Sequence, residues 1–275
     1  MRVLCCEDDF ETWRGQARGL LAEGLPPHAV VWEDENRPQL FAAEEPAPYH
    51  GGGAVTRVPG ELIEQLRSAA QYRMPGRWNL LYRILWRVTR GEREAMLAGD
   101  RDGSELHRRI KSVSREAHHL HAFVRFQPVT DAADLDYVAW YEPAHDILAG
   151  ASLHFAERLG RQRWLIATPR DAVWYDGAHL EYRRPCPPAW QARAQASSGG
   201  EDRLWETYYA SIFNPARLNR QAMQGHMPLR FWKGLTEGKL IPVLLSQARA
   251  GSQKDGQAQG VKGKRGKIIR PARES

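Results

Sequence analysis

Histidine and carboxylate side chains at helical spacing are the first groups in this sequence that could do chemistry. The segment HHLHAFVRF, residues 118–126, places His118 and His121 three residues apart, and Glu142 and His145 repeat that spacing. The first pair lies at the end of a predicted helix, where residues three apart share one side, and the second pair lies at the end of the next predicted strand. Each pair could share a ligand or a proton. Imidazole and carboxylate groups also suit zinc, iron or manganese. These four residues are the candidate catalytic residues and candidate metal ligands, although histidines that only form hydrogen bonds fit the same spacing.

Arginine and lysine residues collect on the polar sides of two predicted helices. A helix over residues 104–120 would bury a narrow apolar stripe and expose a basic face that includes His119 and that Glu105 and Glu116 avoid. Residues 77–91 show a similar pattern. Such faces can bind phosphate groups, while neighbouring aromatic residues can stack on bases. They are equally typical of solvated helix faces and of the rim of a core. The candidate nucleic-acid-binding residues are Arg83, Arg87, Arg108, Lys111, Arg115, Arg125, Arg217, Arg220 and Lys233.

The elements that must position these groups follow from the hydrophobic periodicity. Residues 1–33 are predicted to form a strand, a helix and a second strand, and a largely helical segment precedes the histidines. From His121 the pattern changes to strands, in HAFVRFQPV, DYVAWYE, RWLIAT, AVWYDG and HLEYR, with a helix between the second and third. The sequence therefore predicts an α+β fold in which helices flank a small antiparallel or mixed sheet of about five to seven strands.

The predicted organisation is one domain over residues 1–248 followed by a disordered basic tail, residues 249–275. A Pro-, Ser- and Gly-rich stretch, residues 183–200, is predicted to be a connection without periodic structure. The parts of the domain are a β-α-β opening and loop (1–58), a helical block (59–121), a sheet region (121–184) and a C-terminal helical block (201–248).

The charge of the chain is unevenly distributed. The formal net charge is +6, and the residues after position 245 include eight basic and two acidic side chains, which accounts for the whole excess. The rest of the chain is therefore close to neutral. A basic surface there requires that basic and acidic residues lie on different sides of the fold. Three cysteines and no apolar stretch of membrane-spanning length predict a cytoplasmic protein without disulfides.

Several familiar catalytic motifs do not occur in the sequence. It has no P-loop, no G-x-G-x-x-G after a strand, no G-x-S-x-G and no H-E-x-x-H. Nucleotide hydrolysis, dinucleotide redox chemistry and simple serine hydrolysis therefore lose support. The three cysteines also lack the spacing of an iron–sulfur cluster.

Five blocks of the sequence, within roughly residues 1–245, resemble a bacterial family of DNA metabolism and DNA repair proteins. The blocks are RWNLLYRILWR, REAHHLHAFVRF, YVAWYEPAHDIL, RWLIATPRDAVWYDG and YYASIFNPARLNRQAMQGHMPLRFWKGLTEGKLIPVLL. In that family the domain, of unknown function, is typically encoded beside a radical-SAM protein, and elsewhere it is fused to a uracil-DNA glycosylase-like domain. This chain differs at CEDDF, where the family has an Asp-Gly turn, and in its lysine-rich tail.

The resemblance implies a DNA-binding accessory module for damaged or single-stranded DNA, with a radical-SAM partner and a possible association with a uracil-DNA glycosylase-like protein. No cofactor is expected in this chain, since any iron–sulfur cluster and S-adenosylmethionine would belong to the partner. Asn214 and Arg217 join the histidines and Glu142 within the matching blocks. Two alternatives stay open: a metal-assisted or acid–base enzyme that uses the histidine and carboxylate residues, and a protein-interaction scaffold.

Overall fold

The predicted α+β class is confirmed. The computed structural model describes residues 1–6, 8–33, 57–129, 134–197, 223–225, 227–232 and 235–249. Within them, helices flank a five-stranded mixed sheet, and a separate pair of strands lies near the N-terminus. None of the described helices is both long and apolar enough to span a membrane.

The N-terminal residues form the predicted β-α-β unit. Strand β1 (Arg2–Cys5) pairs in parallel with β2 (Val30–Glu33), and helix α1 (Phe10–Ala22) connects them. Asp9 begins α1 by accepting a hydrogen bond from the amide of Thr12 at 2.6 Å. Trp13, Ala17 and Leu20 are spaced to share one face of α1, and all three are buried. A short 3-10 helix, Pro27–Ala29, precedes β2.

Turns divide the helical block into several helices. It consists of α2 (Gly60–Ala70), α3 (Arg77–Thr89), a 3-10 turn (Arg93–Met96) and α4 (Arg101–Phe123). The Asp100 carboxylate caps α4 by accepting from the amides of Asp102 and Gly103. The tryptophan and tyrosine rings of α1, β2 and α3 share one core with α2, so this block and the N-terminal unit pack together.

The five-stranded sheet has the order β3-β4-β5-β6-β7, and only β4 and β5 are parallel. Its strands are β3 (Gln127–Pro128), β4 (Tyr137–Trp140), β5 (Trp164–Ala167), β6 (Ala172–Tyr175) and β7 (Leu180–Arg183). Helices α5 (Leu148–Ala151) and α6 (Leu153–Leu159) make the crossover that two parallel strands require.

Residues of the central strands alternate between the two faces of the sheet. Ala139 and Ile166 pack with α4, α5 and α6 on one face, while Val138 and Leu165 pack on the other face with helix α7 (Pro188–Ser197). The C-terminal residues that the structure describes include α8 (Leu229–Trp232), a 3-10 turn (Thr236–Lys239) and α9 (Leu240–Arg249). Most of the predicted tail and residues 198–222 lie outside the described residues, and the single-domain assignment stays a prediction.

Two predicted boundaries are wrong. Helix α4 continues through His121 to Phe123, and strand pairing begins only at Gln127. The apolar alternation in HAFVRF suggested a strand, but it reflects the packing of individual aromatic rings. Phe123 stacks on Phe231, and Phe126 contacts Trp164.

The second correction concerns residues 183–200, which were predicted to be a connection. Residues Pro188–Ser197 form α7, which packs on β4 and β5 and buries Ala194. A proline in the first turn is compatible with a helix because that position needs no amide donor. The prolines therefore mark the start of a helix in this stretch.

Arg77 joins the N-terminal unit to the segment that follows β4. Its side chain is 3% exposed and lies 2.6 Å from an Asp8 oxygen and 3.0 Å from an Asp146 oxygen. It also donates to the carbonyl oxygen of Ala70 at 2.9 Å. A guanidinium group out of water is tolerated only with such partners, so the relative position of these segments is tied to one side chain.

Replacing Arg77 by Met should strongly destabilise the protein, because two buried carboxylates would each lose a partner. The expected loss is about 3–5 kcal/mol in the free energy of unfolding, measured by urea titration. Arg14→Met is the control: Arg14 pairs with Glu11 on the exposed surface of α1, so the expected loss is below about 1 kcal/mol. Equal losses in the two variants would contradict this role of Arg77.

Candidate functional site

The four sequence-predicted catalytic residues occupy different environments. His118 is exposed, and His121 donates from Nε2 to the carbonyl oxygen of Ala151 at 2.9 Å. Glu142 is exposed and accepts from Nε1 of Trp140 at 3.1 Å. Only His145 is buried. No group of three or more His, Cys, Asp or Glu residues within the described ranges could hold a metal ion, so the structure does not bring the four together as a metal site.

A polar cluster surrounds Glu116 in the interior beside α4. Glu116 is 3% exposed and accepts from the amide of Ala144 at 2.8 Å, while its other carboxylate oxygen pairs with Arg230. His119 approaches that oxygen from one turn further along α4, with Nδ1 at 3.8 Å. We call Ser112, Glu116, His119, Tyr141, His145 and Arg230 the Glu116 cluster.

His145 enters the Glu116 cluster from the segment that follows β4. Its Nε2 shares a hydrogen bond of 2.9 Å with Oγ of Ser112, and its ring lies 4.4 Å from that of Tyr72. The spacing along α4 explains the convergence, because Ser112, Glu116 and His119 are four and three residues apart and so lie on one side of the helix.

Burial keeps the histidines of the cluster neutral at pH 7. For both His119 and His145, desolvation lowers the pKa of the imidazole below its ordinary value, and the nearby Glu116 opposes this only in part. Burial, reinforced by Glu116, raises the pKa of Tyr141, so its hydroxyl stays protonated. The cluster therefore combines neutral imidazoles, which can accept a proton, with a hydroxyl that can donate a hydrogen bond.

Three polar atoms of the Glu116 cluster are buried without a hydrogen-bond partner among the described residues. They are Nδ1 of His119, Nδ1 of His145 and Oη of Tyr141. A buried polar atom without a partner is costly, so each one requires an explanation such as a catalytic role or a bound water. Arg230 is 42% exposed while it pairs with Glu116, so the cluster reaches solvent at this side chain.

Sequence reasoning found His145 and missed Glu116, His119 and Tyr141. Glu116 and His119 form an acid–histidine pair three residues apart, the same signal that drew attention to Glu142 and His145. They were set aside because His119 was assigned to the exposed face of α4. The helix places His119 on its buried side instead, where its ring contacts Phe231.

The basic residues predicted on α3 are engaged by carboxylates. Arg83 binds Asp102 through two nitrogen atoms, at 2.9 and 2.6 Å. Arg87 binds Asp100, Asp102 and Glu92, each at 3.1 Å or less. These acids lie at the start of α4 and in the segment before it. They neutralise the two arginines, so this face of α3 is not strongly basic.

The basic face of α4 is partly retained. Lys111, Arg115 and His118 are exposed, and none of them forms an ion pair within the described residues. Arg108 is also exposed, but it pairs with Glu105 at 2.7 Å, so the expectation that acids avoid this face is wrong at that position. We call Arg108, Lys111, Arg115 and His118 the α4 stripe.

Arg125 is the other predicted nucleic-acid-binding residue that the structure describes. Arg125 donates to the carbonyl oxygens of Ala122 and Val124 at the end of α4. The predictions for Asn214, Arg217, Arg220 and Lys233 fall outside the described residues.

A cleft of about 950 Å³ lies between the start of α1, the end of α2 and the loops around β6 and β7. Sequence reasoning did not predict it. Arg67, Arg170 and Arg184 line it together with Asp8 and Asp146. We call it the arginine cleft.

Comparison with known proteins places this α+β chain in a family. A family model described as a domain of unknown function, DUF4130, matches residues 75–237, which is more than half of the chain. The chain belongs to this family. The match spans α4 and the whole Glu116 cluster, whereas Asp8 of the arginine cleft lies outside it. Neither the curated proteins nor the solved structures include a significant match.

Replacing Tyr141 by Phe should stabilise the protein, because the change removes a buried hydroxyl that has no partner among the described residues. The expected gain is about 1 kcal/mol in the free energy of unfolding, measured by urea titration. Tyr82→Phe is the matched control: Oη of Tyr82 donates to the carbonyl oxygen of Leu25 at 2.7 Å, and its removal should cost about 1 kcal/mol. If both variants were destabilised alike, the hydroxyl of Tyr141 would have a partner in the folded protein.

Proposed function

We propose that this chain is a DNA-binding accessory protein of DNA metabolism or repair, which binds damaged or single-stranded DNA through the α4 stripe. The observation that carries the proposal is the exposure of Lys111 and Arg115 on one side of a helix whose other side is buried. Elsewhere among the described residues, Arg83 and Arg87, which were also predicted to bind nucleic acid, are neutralised by carboxylates.

The geometry of the α4 stripe suits a polyanion. Lys111 and Arg115 are four residues apart, which corresponds to about 6 Å along the helix axis, and His118 continues the same side. Arg108 lies one turn before Lys111, and its guanidinium group is 5.3 Å from the centre of the Tyr72 ring. Several cations on one face can contact successive phosphates, which provides affinity without sequence preference.

We further propose that the chain acts with a radical-SAM partner, as its resemblance to DNA repair proteins implies, and that the partner holds the iron–sulfur cluster. Two of the three cysteines, Cys6 and Cys186, are poor ligands for such a cluster. Burial and the nearby Asp8 raise the pKa of the Cys6 thiol to about 12, and burial also raises the pKa of Cys186. A thiol must lose its proton to bind a metal ion, so the raised pKa disfavours metal binding by Cys6 and by Cys186.

Replacing both Lys111 and Arg115 by Gln should weaken binding of single-stranded DNA and flatten its salt dependence. Each phosphate contact contributes about 0.7 to the slope of log K against log salt concentration, so the slope should fall by about 1.4. Fluorescence anisotropy with a labelled oligonucleotide across a salt series measures both quantities.

The control for this experiment is Arg158→Gln with Arg161→Gln, which removes the same charge from exposed positions in the last turn of α6 and just after it. It should leave the slope unchanged. The series is repeated with a chain that lacks residues 250–275, to separate the body from the basic tail. If the truncated chain does not bind, or if both double variants behave alike, the α4 stripe does not bind DNA.

A second candidate function is acid–base catalysis on a damaged nucleotide by the Glu116 cluster. The specific observation in its favour is a set of buried atoms on His119, Tyr141 and His145 that have no hydrogen-bond partner within the described part of the chain and lie near a carboxylate. A neutral imidazole beside a carboxylate is the arrangement of a general base.

This second candidate predicts that the chain alters ultraviolet-irradiated oligonucleotides and that His145→Gln abolishes the change. Mass spectrometry of the oligonucleotide after incubation detects any lost or added atoms. The exposed His118, replaced in the same way, is the control and should retain the activity. An unchanged oligonucleotide with the unaltered protein would reject catalysis by this chain alone.

A further inference from the structure

Two histidine rings lie against each other between the end of α4 and helix α6. The ring centres of His121 and His154 are 4.3 Å apart, and the two ring planes meet at 31°. His121 belongs to the last turn of α4 and His154 to α6, so tertiary packing brings the rings together. Both side chains are half-buried, so the pair lies at the surface and can be reached from solvent.

The hydrogen bond of His121 fixes which of its ring nitrogens carries the hydrogen. Nε2 lies 2.9 Å from the carbonyl oxygen of Ala151, and a carbonyl oxygen can only accept, so Nε2 is the donor. In the neutral ring, Nδ1 then keeps a lone pair. Histidines that bind metal ions almost always donate through their other nitrogen in this way, because the bond fixes the tautomer and the orientation of the ring.

The segment that holds His121 also supplies the second ring. Ala151 ends α5, and His154 follows three residues later, at the spacing of one helical turn. The ring of His154 has no hydrogen-bond partner within the described part of the chain. It can therefore turn about χ2, whose range is broad for histidine, and bring either of its nitrogens to the edge that Nδ1 of His121 occupies.

Phe155 packs against both imidazoles. Its ring meets that of His121 at 82° and that of His154 at 74°, and the ring centres are 5.4 Å apart in each contact. Phe155 is buried in the core beside the five-stranded sheet. An apolar ring offers no ligand atom, so a molecule or ion that both imidazoles bind must approach from the side away from Phe155.

We propose that His121 and His154 bind a divalent transition-metal ion such as Zn²⁺, with Nδ1 of His121 and one ring nitrogen of His154 as ligands. Imidazole is a preferred ligand of zinc, copper and nickel. Two imidazoles bound to one ion at about 2.0–2.1 Å have their ring centres about 4.5–5 Å apart. The observed separation of 4.3 Å is close to that value, so only a small adjustment of the rings is required.

The site has two protein ligands and open coordination positions. No third His, Cys, Asp or Glu within the described ranges completes the set. The other positions are therefore left for water or for an oxygen atom of an external ligand. A metal ion with an open position can bind and polarise such an oxygen, whereas binding by two ligands is weaker than in a structural zinc site with four.

Isothermal titration of the full chain with Zn²⁺, after dialysis against a chelator, tests the site. One equivalent should bind with a dissociation constant in the micromolar range. His154→Gln should weaken this binding at least tenfold, because it leaves a single imidazole. His118→Gln is the matched control: His118 is exposed one turn before His121 on the same helix, and its loss should change the affinity less than twofold. If Zn²⁺ does not bind at micromolar concentration, or if the two variants behave alike, the proposal is wrong.

Electron paramagnetic resonance with one equivalent of Cu²⁺ is a second readout, and it uses the unaltered chain. The spectrum should show hyperfine coupling to two imidazole nitrogens, and coupling to fewer than two would overturn the proposal. His121→Gln, with its fold checked by circular dichroism, should reduce the count to one, so an unchanged count would also contradict the site. Replacing Lys111 and Arg115 should not alter Zn²⁺ binding, so failure of this proposal is distinct from failure of the α4 stripe.

Discussion

The buried guanidinium group of Arg77 constrains the rest of the structure. It is almost fully removed from water, and it is tolerated only because Asp8 arrives after β1 and Asp146 arrives after β4. A buried charge with a missing partner costs more than the pair itself gains, so this interaction selects one arrangement of the segments. The position of α1 relative to the five-stranded sheet, and with it the arginine cleft, depends on that arrangement.

The same constraint places the Glu116 cluster and the arginine cleft on opposite sides of the segment that contains His145 and Asp146. His145 and Asp146 are adjacent in sequence, yet His145 bonds to Ser112 in the Glu116 cluster and Asp146 bonds to Arg77 in the arginine cleft. The amide of Asp146 also donates to the carbonyl oxygen of Gln71, which fixes the backbone between them.

Local pattern was sufficient to predict most elements, because the continuous apolar run in RWLIAT or the helical spacing in α1 records burial directly. It failed where contacts are long-range. His119 was assigned to the exposed face although Phe231, over a hundred positions later, covers it. The arginine cleft draws Asp8, Arg77, Asp146 and Arg184 from four separate segments, and no spacing in the sequence relates them. Sites assembled by tertiary contacts lie beyond periodicity arguments.

Charge neutralisation decides which basic residues remain available for a polyanion. The net charge does not show which basic residues of the folded part are available. On α3, for example, arginines form ion pairs with acids at the start of α4. What distinguishes the α4 stripe is that Lys111 and Arg115 have no such match within the described residues. The arginine cleft differs, because the arginines that line it lie among Asp8, Asp9 and Asp146. A polyanion that binds a paired guanidinium group must displace its carboxylate, so a basic side chain without such a partner is the more available one.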